Sequence, residues 1–313
     1  MVTYRITVSQ KSPLSTPLLS GTVWGHLAWA VRYLEGTSSF ARWMEEQEAC
    51  PWLVSSHMPV GMLPRPLLDP AMRRDASLSL DEMKREKRAR KITFIPEALF
   101  LKLRDRMSDH SLTQSLKESF SGDGTMEPPR VPELKAHNHI NRLTGTTPES
   151  GGLFFEEVAF PAAGSLCQLF METAAPCKAH LETLFAFVGE SGFGSNASSG
   201  NGHLVFSIEE ETVLFPGRGA RGMSLSHGIL SSNMGNPRYK QHVHFGKLGG
   251  DYAKGAFSPF KYPVLMAAPG ATFDLLDEGP FGTLLQGVHH DEALAEVRHH
   301  ALHLPLRFSE VTP

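Results

Sequence analysis

GESGFGSNASSGNGH, residues 189–203, is the stretch on which the reading of this chain turns. Leu181, Leu184, Phe185 and Val188 run into it at the spacing of one helix face, and Leu204, Phe206 and Ile208 leave it alternating as a strand does. The loop is therefore held between two regular elements. Gly189, Gly192, Gly194, Gly200 and Gly202 leave backbone N–H groups uncovered and permit positive φ, while Ser195, Asn196, Ser198, Ser199 and Asn201 add small polar side chains. Such a surface suits close approach of a phosphate or of another backbone, and a plain turn-rich loop is the competing reading. Nucleotide-cofactor motifs do not fit. GK followed by Ser or Thr is absent, and although Gly192, Gly194 and Ala197 satisfy GxGxxA, that fingerprint must follow a strand and open a helix, the reverse of the order here.

Outward from the loop, the same patterns recur. Val2, Tyr4, Ile6 and Val8 alternate with polar residues as a half-buried strand, and Val23, Leu27, Ala30, Val31 and Leu34 mark a helix that Ser20 or Thr22 can cap and Gly36 can end. Trp24 and His26 lie near the start of that helix, where they either pack or meet an anion. Trp52–Met58 reads as a strand that ends at the prolines that follow, and Leu153–Phe160 and Leu166–Thr173 read as the two arms of a hairpin. Between them, about residues 70–135 read as an insertion too polar to contribute much to a core, with a charged run over Asp81–Lys91 and a helix over Phe94–Met107. The basic residues Lys84, Arg85, Lys87, Arg88, Arg90 and Lys91 form either a solvated helix face or a binding patch. The order strand, helix, strand, insertion, strand, strand, helix, loop, strand approximates a ferredoxin-like α+β domain over residues 1–211. Residues 212–313 are strand-rich and less regular, with expected strands at Ser224–Ser232, Tyr239–Lys247, Pro263–Ala268, Gly282–Val288 and His300–Phe308, as in a degenerate domain of the same type.

Composition narrows the function. A 313-residue chain that is 41% hydrophobic supports a full core, and a net charge of −3 gives no global basic signal, so any nucleic-acid contact must be local. Cys50, Cys167 and Cys177 are odd in number and lack CxxC spacing, which predicts reduced thiols, two of them in cores, in a cytoplasmic protein. No signal peptide or membrane-length apolar run is seen. His242 with His244, His289 with His290, and His299, His300 and His303 are the dense histidine groups. They lack carboxylate or thiol partners at metal-site spacing, HExxH and GxSxG are absent, and neither a metal, a cofactor nor a catalytic residue is expected. Lys135, His137, Asn138, His139, Asn141, Arg142 and Thr144 crowd donors into eleven residues: Arg142 can fork onto a phosphate and Asn138 can meet a base edge, or both can tie an insertion to its domain.

Five segments in order, SPLSTPLLSGTVWGHLAWAVRYLEG (12–36), WLVSSHMPVGMLPRPLL (52–68), ITFIPEALF (92–100), NHINRLTGTTPESGGLFFEEVAF (138–160) and FVGESGFGSNASSGNGHLVF (187–206), resemble subunit four of the type III-A CRISPR-Cas Csm effector, a Cas-five-like member of the RAMP superfamily. HFGKLGGDYA (244–253) and HHALHLPLRF (299–308) extend the likeness more loosely. The resemblance implies two RRM-like domains with a thumb-like insertion at about 70–135. It also implies a non-catalytic role gripping the 5′ repeat-derived tag of a CRISPR guide RNA, next to a Cas-ten-like large subunit and a neighbouring RAMP backbone subunit, with target RNA met indirectly. Carried onto this sequence, it makes Asn138, Arg142, Thr144, Gly145, Gly192, Gly194, Ser198, Ser199, Gly200 and Gly202 the RNA-facing candidates. Related subunits often carry a lysine between the last two loop glycines, where this chain has Asn201. A RAMP-type endoribonuclease using His26 or His139 as acid or base is the alternative activity.

Overall fold

The computed structural model describes residues 1–70, 79–119, 130–161, 166–255 and 257–311. The alternation of Val2–Gln10 forms β1, with Tyr4, Ile6 and Val8 buried on one face. α1 (Ser20–Glu35) follows and buries Val23, Leu27, Ala30 and Val31 against that face. Its expected serine cap is not used. Ser20 lies inside the helix, its N–H donating to Ser56 Oγ at 3.1 Å and its hydroxyl to the carbonyl of His227 at 3.1 Å, so it ties distant segments together. Gly36, at φ 85°, ends α1 and leads into α2 (Thr37–Ala49), a helix the sequence reading missed. Trp43 and Gln47 are its buried residues, and Gln47 Oε1 accepts from both Trp24 Nε1 and the Trp52 N–H.

The expected strand after Trp52 is broken into β2 (Leu53–Val54) and β3 (Met58–Pro59), followed by β4 (Met62–Pro64). Next come α3 (Leu80–Lys91), β5 (Phe94–Pro96), α4 (Glu97–Leu103) and α5 (Asp109–Ser119), so the helix expected over Phe94–Met107 begins as a strand. These elements overturn the reading of the stretch as coreless. Ala89, Ile95, Phe100, Met107, Leu112 and Leu116 are buried in one cluster with Leu53, Met58, Phe170, Leu214, Met223, Leu304 and Phe308. Charged side chains made it look polar, yet several of them hold it together. Arg104 donates to the carbonyls of Leu214 and Pro216, and Arg65 to Thr113 Oγ1 at 3.1 Å and to the carbonyl of Ala89. Leu112→Ala is accordingly expected to cost about 3 kcal/mol in urea unfolding, whereas a solvated appendage would lose almost nothing. Residues 71–78 and 120–129 of that stretch lie outside the described ones.

β6 (Arg130–Asn138) pairs antiparallel with β7 (Leu153–Pro161) as a long two-stranded ribbon. The expected hairpin between β7 and the next strand is therefore incorrect. β8 (Cys167–Thr173) instead pairs with β1, β2 and β3, because its near-continuous burial suits a central strand covered on both faces. α6 (Lys178–Ser191) and β9 (Leu204–Glu210) complete the sheet, whose main path runs β2-β8-β1-β9.

Beyond it lie β10 (Arg221–Ser224), β11 (Met234–Arg238), β12 (Gln241–His244), β13 (Val264–Ala267), β14 (Thr272–Leu275), β15 (Gly282–Leu285), β16 (His299–Leu302) and β17 (Pro305–Phe308). β11 and β14 were not expected, and the closing segment read as one strand is two. The second sheet runs β11-β14-β10-β17, so each sheet, counted along its own chain segment, has the antiparallel order second, third, first, fourth.

Candidate nucleic-acid interface

The glycine loop is a closed structure before it is a surface. Gly192 ends α6 at φ 87°, and a Cβ there would sit 2.7 Å from Ala197 Cβ. Phe193 turns inward, 1% exposed, and its ring stacks on His26 at 4.1 Å. Most of the amides expected to face a phosphate are already used. The N–H groups of Phe193, Gly194, Ser195, Gly200 and Gly202 donate to Gly202 O, His26 Nε2, Thr16 Oγ1, Ala197 O and Pro13 O, all at 2.8–3.0 Å. Asn201, between the last two loop glycines, is buried and donates to Ser15 Oγ at 2.8 Å, so it is a structural tie. Ser198, Ser199 and Gly200 remain exposed at the tip, and no atom lies within 4 Å of a Cβ built on Gly200. Of the loop candidates, these three can face a ligand directly, while Gly192, Gly194 and Gly202 shape the backbone.

His26 is a positioning residue of this loop. Its Nδ1 lies 2.9 Å from the Thr22 carbonyl and its Nε2 accepts from Gly194, which fixes the neutral tautomer with the proton on Nδ1, and burial lowers its pKa. An acid or base role would break the contact with Gly194. His26→Ala is expected to leave the fold intact while raising amide exchange at Gly194 and Ser195 by about tenfold or more, corresponding to roughly 1.5 kcal/mol of lost closure.

The second candidate set lies on the ribbon. Asn141 and Thr146 bridge, the Gly145 N–H closes the turn on Asn141 O at 2.8 Å, and φ 67° at Gly145 requires glycine there. Arg142, Thr144 and Asn138 are exposed, and Arg142 makes no ion pair among the described residues. Asn138 Oδ1 accepts from Thr147, which leaves its amide nitrogen available for a base edge. Apolar side chains project around them: Leu143 is 96% exposed, Phe155 63% and Ile140 56%. The ribbon meets the glycine loop at its base, where Asn196 Nδ2 donates to the Glu156 carboxylate at 2.6 Å and Leu14 bridges Ala159. Lys135 faces Glu156 across the ribbon, and Leu143 lies eight residues further along, up to about 25 Å away. Loop and tip are thus two ends of one surface, and His139 is not brought together with His26. Pro13, Ser15, Thr16 and Glu156 escaped the sequence reading because their contacts are long-range.

The first sheet offers no open platform. On the face opposite the helices, Arg5 donates to both Glu97 carboxylate oxygens at 2.8 and 2.9 Å and to Gln168 at 2.8 Å, and Phe170 is fully buried. The basic run on α3 is a largely exposed helix face, with Arg90 paired to Glu86 and Asp109. Trp24 is packed, 3% exposed. The cysteines are free: Cys167 lies in the first core, Cys177 packs on its edge, and Cys50 is half-buried. His227, His289, His299, His300 and His303 are buried, and no three His, Cys, Asp or Glu side chains among the described residues converge as metal ligands.

A chain in the crystal structure of a Csm1–Csm4 cassette in complex with pppApA superposes on this one with a TM-score of 0.59, at 16% identity over 100% of both chains. A chain of the Csm3–Csm4 subcomplex of the type III-A CRISPR-Cas interference complex gives 0.61 at 12% identity, again over 100% of both. Csm4 is the subunit common to the two assemblies. The fold is Csm4-like. A chain of the type III-B Cmr-beta complex bound to cognate target RNA and AMPPnP shares the Csm4-like fold less fully, with a TM-score of 0.50, 12% identity and 86% of each chain covered. No protein-family profile matches the sequence, and no curated protein matches it. No helix among the described residues is long and apolar enough to cross a membrane.

Proposed function

We propose that this chain is a non-catalytic guide-RNA-binding subunit of a type III CRISPR effector complex, gripping the 5′ repeat-derived tag and bridging a RAMP backbone subunit to a Cas-ten-like large subunit. The observation that carries the reading is the ribbon: in a chain of Csm4-like fold, β6–β7 extends an unpaired Arg142 and exposed apolar side chains from a base formed by the glycine loop. The repeated strand order supports two RRM-like units, 1–211 and 212–313. The first unit departs from an RNA-stacking sheet, since Arg5, Glu97 and Phe170 close that face. RNA contact then falls to Asn138, Arg142, Thr144 and Gly145 at the tip and to Ser198, Ser199 and Gly200 at the loop. The thumb that reaches target-bound guide is assigned to residues 130–161, since the described helices nearer the N-terminus are packed into a core.

Sequencing the small RNA that copurifies with the coexpressed complex tests this directly: repeat-tagged guides are expected, and their absence would sink the reading. Arg142→Ala should lower tag retention about tenfold or more, the loss of one charge-assisted contact, with unchanged circular dichroism. Metal-independent cleavage of repeat RNA that is lost on His139→Ala would instead establish the endoribonuclease alternative.

A further inference from the structure

The ribbon β12–β13 turns His242, His244 and Met266 inward over the start of α1, and the groups gathered beneath it are basic. His227 and His242 lie 4.5 Å apart between ring centroids, and His244 stacks on His299 at 5.0 Å. Lys261 donates to the carbonyl of Arg298 at 3.1 Å and makes no ion pair among the described residues. Residues 238–250, 257–268 and 297–308, which frame the cluster, contain no Asp or Glu. Burial first, and then Lys261 and the neighbouring histidines, lower the pKa values of His244 and His299 and hold both imidazoles in the neutral form.

Lys261, pushed down to about 8 by burial, is still a cation near neutral pH, and a buried cation without a counter-charge is costly unless an anion joins it, while the neutral imidazoles beside it can donate N–H to that anion. Two details show where one fits. His299 is 4% exposed, yet its Nε2 has no hydrogen-bond partner among the described residues, an exception in a folded interior. Glycines keep the backbone close to these rings: a Cβ on Gly21 would meet the His300 carbonyl oxygen at 2.7 Å and lie 3.4 Å from His299 Nε2, and one on Gly246 would lie 3.3 Å from His244 Nε2 and 3.4 Å from Lys261 Cδ. Gly21 is also the second residue of the 16-residue α1, so the positive end of a helix dipole, with amides unpaired within the helix, meets the same point. A metal ion is the poorer occupant, since the ring nitrogens do not converge and Lys261 would repel it.

We propose that Gly21, His244, Gly246, Lys261 and His299 form a binding site for a phosphoryl anion beneath the β12–β13 ribbon. The site shares no residue with the loop or the β6–β7 tip and does not depend on the RNA reading, so a complex that carried no guide RNA would leave it standing. Free phosphate and the phosphate of a nucleotide share the required chemistry: tetrahedral, negatively charged and able to accept several N–H bonds.

Calorimetric titration of the full chain near neutral pH, with chloride at matched ionic strength as the control, tests it. Inorganic phosphate is expected to bind once per chain and to raise the unfolding temperature. Lys261→Met and His244→Gln should each weaken binding about tenfold or more, and His244 is only half-buried, so its replacement leaves the folded state measurable. A 5′-phosphorylated dinucleotide that binds more tightly than phosphate, while its 5′-hydroxyl counterpart does not, identifies a nucleic-acid source; equal binding of phosphate and the phosphorylated dinucleotide identifies the free anion, and both uphold the site. Wild-type protein that responds to phosphate no more than to chloride, variants that bind as well as wild type, or stoichiometric zinc in place of phosphate would each overturn it.

Discussion

In phosphate-free buffer the unfolding temperature is expected to fall steeply as pH drops from about 6.5 towards 4. Burial holds His300 and His303 at about 4, His227 at about 3 and His299 at about 2, against 6.5 for an exposed imidazole. Each is neutral in the native state over this window and protonated in the unfolded chain. The unfolded state therefore binds more protons below about pH 6.5, and the stability present above that value is lost as pH falls towards the folded values. One such group changes stability by at most about 1.4 kcal/mol per pH unit, so four acting together approach 5 kcal/mol per unit. That is comparable with the whole stability of an ordinary domain, about 5–15 kcal/mol. Carboxylates do not reproduce the effect: Glu211, whose pKa is lowered by backbone and Arg5 hydrogen bonds despite burial, gives up stability only below its ordinary 4.5. Thermal scans across the window read the slope, and an unfolding temperature that stayed flat to about pH 5 would show the four imidazoles open to solvent. Phosphate should lessen the slope if it occupies the site under β12–β13, because it favours protonated His244 and His299.

How far the sequence reveals this fold depends on the range of the contacts involved. β1, α1, α6 and β9 were legible from periodicity because each buries one regular face, as Tyr4, Ile6 and Val8 do. β8 was found but paired wrongly: a strand buried on both faces reads the same whichever neighbour it takes, and its partners are β1, β2 and β3, far away in sequence. The segment with α3 to α5 was misjudged because its charges dominate local composition while Phe100, Leu112 and Leu116, which meet Phe308 and Leu304 about two hundred residues later, supply its core. At the candidate site, the loop glycines and the donor-rich turn were legible. Their division into backbone-shaping and exposed residues was not, since it rests on Thr16, Pro13 and His26 closing over amides that composition alone leaves free. The exposed apolar rim, Leu143 and Phe155, also carries no local signal, as apolar alternation predicts burial until the opposite partner is seen to be missing.

Gly202→Ala is expected to cost about 4 kcal/mol, far more than a glycine-to-alanine change in an ordinary loop. Gly202 sits at φ 78°, already unfavourable for a residue with a side chain, and a Cβ there would lie 2.1 Å from the carbonyl oxygen of Phe193 and 2.5 Å from its nitrogen. Neither atom can yield easily. Phe193 donates its N–H to Gly202 O at 2.8 Å, buries its ring and stacks it on His26, while the Gly202 N–H is held by Pro13 O. Relief requires parting the two strands of the loop, which releases Gly194 from His26 and uncouples the loop from β1. Gly200→Ala is the matched control: it has a similar φ of 85° but open space around the added methyl, so about 1 kcal/mol is expected. Urea unfolding measures the difference, and equal costs would show that the closure between Phe193 and Gly202 does not hold in solution. The same pair separates shape from contact in RNA retention by the assembled complex. Gly202→Ala should lose RNA together with stability. Gly200→Ala, whose methyl stands at the exposed tip beside Ser198 and Ser199, should lose RNA with stability nearly kept if RNA lies against that tip, and should retain it if the loop only supports the base of the β6–β7 ribbon.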